Sequence, residues 1–220
     1  MNLSDVAHAR FNMIEQQIRP WNVLDADVLS LLADVHREAF VPTAHQALAF
    51  ADMEIPLGHG QYMLAPRLEA RMLQDLQIQP EDKILEIGTG SGFMAALLAR
   101  QGRSVLSLEC IPELAATASH KLRQAGVLNV EVRVADGAKP LAGSDRFDAI
   151  VLSGSVAKVP QHLLDLLAVG GRLITIAGEE PIMQAHLFTR VNDTDLRHTT
   201  PWDANAPRLQ GFAQASHFRF

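Results

Sequence analysis

The chain has 220 residues, 48% of them hydrophobic, a formal net charge of −6 and a single cysteine, Cys110. That length can bury a sizeable core in one domain, the acidic balance argues against general nucleic-acid or anionic-membrane binding, and one thiol excludes a disulfide framework or a CxxC metal site. No apolar run approaches the roughly 20 residues of a membrane span, and Met1-Asn2-Leu3-Ser4-Asp5 lacks the basic and apolar stretches of a signal peptide, so a cytoplasmic protein is expected.

Ser4 or Asp5 can cap a first helix that runs to about Arg19 and is stopped by Pro20. Phe11, Ile14 and Ile18 recur at helical spacing and predict its buried face. Asp25 or Asp27 opens a second helix, with Val28, Leu31, Leu32 and Val35 on one side, ending near Phe40-Val41-Pro42 because a residue before proline leaves the helical region. Residues 50–66 are rich in turn formers and show neither helical nor strand periodicity, so they read as a linker or a lid over a site. From Pro66 a helix carries Leu68, Met72, Leu73 and Leu76 as its apolar stripe.

Lys83 to Ile87 is an apolar strand holding one acid, Glu86. It enters Gly88-Thr89-Gly90-Ser91-Gly92, and a helix follows from Phe93 to Arg100. Strand, glycine turn and helix form a nucleotide-type binding elbow. A dinucleotide fingerprint would place its third glycine at position 93, which is Phe93. The order Glu86-Ile87-Gly88-x-Gly90-x-Gly92 instead resembles motif I of the S-adenosylmethionine-dependent methyltransferases, with Ser91 facing the cofactor.

Ser104 to Leu108 is a second strand ending at Glu109, which follows Gly88 at about the 20-residue spacing of a ribose-binding acid. Cys110 beside it reads as a small buried hydrophobe. A helix over 112–125 starts at Pro112 and stops at Gly126. Val130 to Val134 leads to Asp136-Gly137, where the acid can accept from an adenine amine, with Gly137 leaving room for the ring, or else initiate a turn. Phe147 to Leu152 is a near-continuously apolar fourth strand, after which Ser153-Gly154-Ser155 crosses the pocket mouth. Pro160 opens a helix through Leu167, Gly170-Gly171 breaks it, and Arg172 to Ile176 is a fifth strand. His186 to Val191 and Gln210 to Phe220 read as further strands, the latter through the alternation Phe212, Gln214, Ser216, Phe218, Phe220.

Strands alternating with helices predict an α/β fold: a doubly wound Rossmann-like sheet, mostly parallel with an antiparallel C-terminal strand, plus N-terminal helices. One domain is expected, with helices and lid over 1–78 and the cofactor-binding core over 79–220. The candidate cofactor set is Glu86, Gly88, Thr89, Gly90, Ser91, Gly92, Glu109, Cys110, Asp136, Gly137 and Ser153. None of the nine histidines has HxxxH or HxH spacing with a nearby acid, so no metal is expected.

The resemblance sharpens over the whole chain. Leu85 to Phe93 is similar to the LEIGTGSGY stretch of protein-L-isoaspartate O-methyltransferases, and Leu108-Glu109-Cys110-Ile111-Pro112-Glu113-Leu114 to their SVERIPEL. Arg37-Glu38-Ala39-Phe40-Val41-Pro42 resembles the family's helix exit, and Ile55 to Gln61 its glycine-glutamine lid. Asp136-Gly137, Phe147-Asp148-Ala149-Ile150 and Gly170-Gly171-Arg172-Leu173 extend the match over about residues 10–178. The resemblance implies S-adenosylmethionine as cofactor, S-adenosylhomocysteine as product and a protein or peptide isoaspartyl substrate. It also places the active-site residues in the lid, where the family reads Gly-Gln-Thr-Ile-Ser-Gln-Pro.

Here that stretch is Gly60-Gln61-Tyr62-Met63-Leu64-Ala65-Pro66. Leu64 stands at the serine position and Tyr62 at the threonine position, so the acceptor candidates are Gln61, Tyr62 and the substituted Leu64. Pro207 to Gly211 is only loosely similar to the family's last stretch. The sequence therefore leaves open isoaspartyl methylation, methylation of a different small hydrophobic acceptor, and a non-catalytic cofactor-binding protein.

Overall fold

The computed structural model describes residues 3–141, 143 and 145–214. Helix α1 (Leu3–Met13) passes through a π-helical turn (Ile14–Ile18) into a 3₁₀ turn (Arg19–Trp21). Pro20 lacks an N–H for the helical ladder and crowds the carbonyl four residues back, so a regular helix cannot pass through it. The wider turn rotates the apolar face. Ile14 and Ile18 are buried as predicted, but Phe11 is 59% exposed and Met13 joins the core instead.

Helix α2 (Ala26–Asp34) begins at Asp25, whose side chain accepts from the backbone N–H groups of Asp27 and Val28. It stops at Asp34 rather than near Phe40, and a short 3₁₀ turn (Arg37–Ala39) follows, which directs Arg37 into the interior. The stretch expected to be irregular contains an antiparallel hairpin, β1 (Ile55–Gly58) and β2 (Gln61–Met63). Strands of four and three residues are too short to show a period. Helix α3 (Pro66–Leu76) buries the stripe expected of it.

The core follows as β3 (Lys83–Ile87), α4 (Phe93–Gln101), β4 (Ser104–Glu109), α5 (Pro112–Gln124) and β5 (Val130–Val134). Then come β6 (Phe147–Val156), α6 (Gln161–Leu164), β7 (Leu167–Glu179), β8 (Ile182–Arg190) and β9 (Leu196–Thr199). They build one sheet in the order β5-β4-β3-β6-β7-β8-β9, parallel from β5 through β7 and antiparallel at β8 and β9. The expected antiparallel C-terminal element is β8, over the stretch read as a strand from His186, and β9 adds a second antiparallel strand beside it. Strand β6 continues through Ser153-Gly154-Ser155, its pairing with β7 slipping between Val151 and Ser155. Strand β7 absorbs Gly170 and Gly171 as an irregularity, and this shortens the predicted helix from Pro160 to a single turn. Residues 210–214 form no strand; the remainder of the predicted Gln210–Phe220 strand, 215–220, lies outside the described residues.

Both faces of the sheet are buried, so strand side chains alternate between two cores. Ile84, Val151 and Ile174 face the core of α1 to α4, with Leu32, Leu68 and Phe93. Leu85, Ile150, Leu152 and Leu173 face the other, with Leu163 and Leu164. Chain connections leave β3 toward β4 on one side, while β6 adds on the other. The carboxyl end of β3 is thus the topological switch point, where such sheets bind ligands.

Candidate active site

At that switch point the elbow glycines take conformations that side chains resist. Gly88, Gly90 and Gly92 have φ of 90°, 50° and 87°. Gly88 N–H donates to the Leu108 carbonyl at 2.8 Å, tying the turn to β4. A Cβ on Gly88 would lie 2.7 Å from Leu209 Cδ2 and one on Gly90 3.1 Å from Leu57 Cδ1, whereas one on Gly92 would meet Ala118 of α5. Two glycines therefore shape the site, and Gly92 serves the packing of α4 on α5.

A crevice opens over the elbow, and it gathers Gly88, Gly90, Glu109, Cys110, Gly137 and Ser153 with the lid residues Gln61 and Tyr62. Glu109 is buried at the end of β4. Its Oε2 accepts from Gly90 N–H at 2.8 Å and its Oε1 from Ile111 N–H at 3.1 Å. Cys110 Sγ also donates to Oε1 at 3.7 Å, so of a carboxylate's roughly four acceptor sites about one is left for a further donor. Cys110 is exposed rather than buried, because it is the first residue past the strand; desolvation and the adjacent Glu109 push its thiol up.

Asp136 does not line the crevice. It takes the turn alternative: Oδ1 accepts from Ala138 N–H at 3.0 Å, Oδ2 lies 3.4 Å from Lys139 Nζ, and Gly211 packs over it. The crevice is closed on that side by Leu209, Gln210 and Phe212, which sequence reasoning missed. Ser155 holds this strap, donating to Pro207 O at 2.7 Å and accepting from Leu209 N–H at 2.9 Å, while Gln210 Nε2 reaches the lid at His59 O, 3.4 Å away.

Beneath the hairpin lies a smaller cavity, shared by the elbow (Thr89, Ser91), Glu86, Ser153, Met94 and the lid residues Tyr62, Met63 and Leu64. Glu86 is fully buried and accepts from Ser107 Oγ at 2.6 Å and Ser153 Oγ at 2.8 Å; Ser107 in turn pairs with Thr89 Oγ1 at 2.6 Å. Burial pushes the Glu86 carboxyl up to about 8 against the lowering effect of both hydroxyls.

The lid is fixed from behind. Arg37, fully buried, donates from Nη2 to Leu64 O at 2.7 Å, from Nε to Ala49 O at 3.0 Å and from Nη1 to Glu69, and it lies over the Phe93 ring. Glu69, on α3, lines the same cavity. Burial pushes it up to about 7, opposed by Arg37, and desolvation lowers Arg37 in turn. Leu64 is 3% exposed, an apolar wall with its carbonyl spoken for. One signal could have revealed Glu69: it falls on the apolar stripe of α3, four residues before Leu73. Among the described residues no three His, Cys, Asp or Glu side chains gather as metal ligands, and no helix is long and apolar enough to cross a membrane.

The family model for protein-L-isoaspartate(D-aspartate) O-methyltransferase matches residues 8–201. A protein-L-isoaspartate O-methyltransferase of Gloeobacter violaceus is 42% identical over 168 residues, 76% of this chain and 82% of that protein. One from Koribacter versatilis is 37% identical over 217 residues, 97% of both chains. A Plasmodium falciparum structure described as a protein-L-isoaspartate O-methyltransferase, in complex with S-adenosyl-L-homocysteine, superposes with a TM-score of 0.78 at 21% identity, covering 90% of this chain and 97% of that one. At that identity the likeness shows the fold.

Proposed function

The chain belongs to the protein-L-isoaspartate O-methyltransferase family, and on that premise we propose that it transfers a methyl group from S-adenosylmethionine to the carboxylate of an isoaspartyl residue in a protein or peptide. The observation that carries this reading is the crevice in which Gly88, Gly90 and Glu109 meet the lid at the switch point of the sheet. Its residues fit a nucleoside cofactor. Gly88 and Gly90 let the ligand approach the backbone, and the remaining acceptor capacity of Glu109 suits a ribose hydroxyl. Ile87, Leu108 and Ala135 offer apolar surface for a base, and Glu86 with Ser153 gives polar groups deeper in.

The chemistry supplied by the bound cofactor is an activated methyl on a positively charged sulfur. The protein's part is alignment and exclusion of water. An isoaspartyl carboxylate is already ionised at pH 7, so no general base is needed. The hairpin and the strap both line the site and are joined through Gln210 and His59. The buried Arg37–Glu69 pair, through Leu64 O, fixes the segment facing the acceptor. This reading includes a cytoplasmic setting and a protein substrate rather than nucleic acid.

Tritiated-methyl transfer to an isoaspartyl peptide and to its normal aspartyl isomer tests the proposal. Base-labile label in the first alone is expected, and label in neither would sink it. A second reading, a small hydrophobic acceptor, is favoured by one observation: Leu64 and Met63 present apolar surface where the family's serine would stand. Label appearing in a metabolite pool but not in the isoaspartyl peptide would select that reading.

A further inference from the structure

Two carboxyl groups wall the cavity under the lid. Glu86 comes from β3 and Glu69 from α3, and both are buried, at 0% and 3% exposure. Met63, Leu64 and Met94 supply the apolar part of the wall. Arg37, from the 3₁₀ turn, is the cation that reaches this pair. It takes Glu69 Oε2, and its other donors go to Ala49 O and Leu64 O. Glu86 receives hydroxyl donors alone. Two further acids act on the pair from a distance, Asp52 on Arg37 and Glu109 on Glu86. With both acids ionised, the wall carries a negative charge that the protein does not balance.

An unbalanced buried carboxylate is unfavourable, so the site either holds a proton or takes a cation. Burial pushes Glu69 up to about 7, against Arg37, and Glu86 up to about 8, so near neutral pH Glu86 holds its proton and Glu69 is divided between its two forms. The cofactor of the reaction above and its product differ at one atom, a positively charged sulfonium against a neutral thioether. We propose that Glu69 is a further cofactor-binding residue whose carboxylate, together with Glu86, selects the sulfonium cofactor over its thioether product. This rests on the S-adenosylmethionine reading. Entry of the cation displaces protons from the two acids, and loss of the methyl group leaves a neutral sulfur that they hold less well. Product exchange for fresh cofactor is favoured by the same wall.

Calorimetric titration of the full chain with S-adenosylmethionine and with S-adenosylhomocysteine tests this, at pH 6 and 8.5 and in two buffers of different ionisation enthalpy. Expected is a preference for the sulfonium of about tenfold or more at pH 8.5, shrinking at pH 6, with more protons released on its binding than on binding of the thioether. Glu69→Gln should bring the two affinities within about threefold, chiefly by weakening the sulfonium, since a neutral amide gives no charge attraction. An unchanged preference in Glu69→Gln overturns the proposal. If that variant fails to fold, the wild-type proton count decides, and equal release with both ligands overturns it. Binding of neither ligand would instead remove the S-adenosylmethionine reading itself, and this inference with it.

Discussion

The elbow and the lid meet over one crevice but are built in opposite ways. The elbow is local: the eleven consecutive residues Lys83 to Phe93 supply the strand, three glycines at positive φ and the start of α4. The lid is tertiary. Its hairpin is short, and it is held by Arg37 from before it, Glu69 from after it and Gln210 from the far end of the chain. Cofactor recognition therefore sits in a motif that tolerates little change, whereas acceptor recognition sits in a segment positioned by contacts that can be altered one at a time. Leu64 is such an alteration.

The largest expected effect falls on the lid's support. Arg37→Leu leaves Glu69 buried without its cation and Leu64 O without a donor, costing about 3–5 kcal/mol in urea unfolding. Adding Glu69→Leu should recover much of that loss, and a double variant as unstable as the single one would mean the pair is not the anchor. On the elbow, Gly88→Val sets a branched side chain at φ 90° and against Leu209, so affinity for S-adenosylhomocysteine should fall about 100-fold. Wild-type affinity in that variant would mean the crevice is misassigned.

Leu64→Ser separates the regions most cleanly. Isoaspartyl methylation should rise about tenfold in kcat/KM as a hydrogen-bond donor is restored, with the Kd for S-adenosylhomocysteine changed by less than about twofold. A change in the Kd without a change in methylation would reverse the division of labour. The smallest effect is on stability against pH. Glu69 and Glu86 are both raised in the folded state, to about 7 and about 8, so between about pH 4.5 and 8 the native protein holds more protons than the unfolded chain. Their contribution is present in full below that window and is lost as pH rises through it. The melting temperature of the ligand-free protein should fall over this range, less so in Glu69→Gln, and equal slopes in both proteins would count against Glu69.

How much was legible follows the same division. The elbow, the strand-end Glu109 and the sheet with its parallel core could be read because glycine spacing, an acid at a strand end and apolar runs are local signals. The turn at Asp136 was not legible, since Ala138 N–H and Gly211, which packs over the side chain from far along the chain, give no local signal. Leu209 and Phe212 lie in a stretch without period and become part of the site only because Ser155 fastens the strap across the sheet. Phe11 misled because a π-helical turn ahead of Pro20 rotated the face that a regular helix would have buried. Arg37 carries no such signal, since nothing local marks an arginine as fully buried.

The most direct test of the account is whether the elbow crevice holds the cofactor at all. Titration of the wild-type chain with S-adenosylhomocysteine should give one site per chain with a Kd of about 10 μM or tighter. No binding up to several hundred micromolar would contradict it.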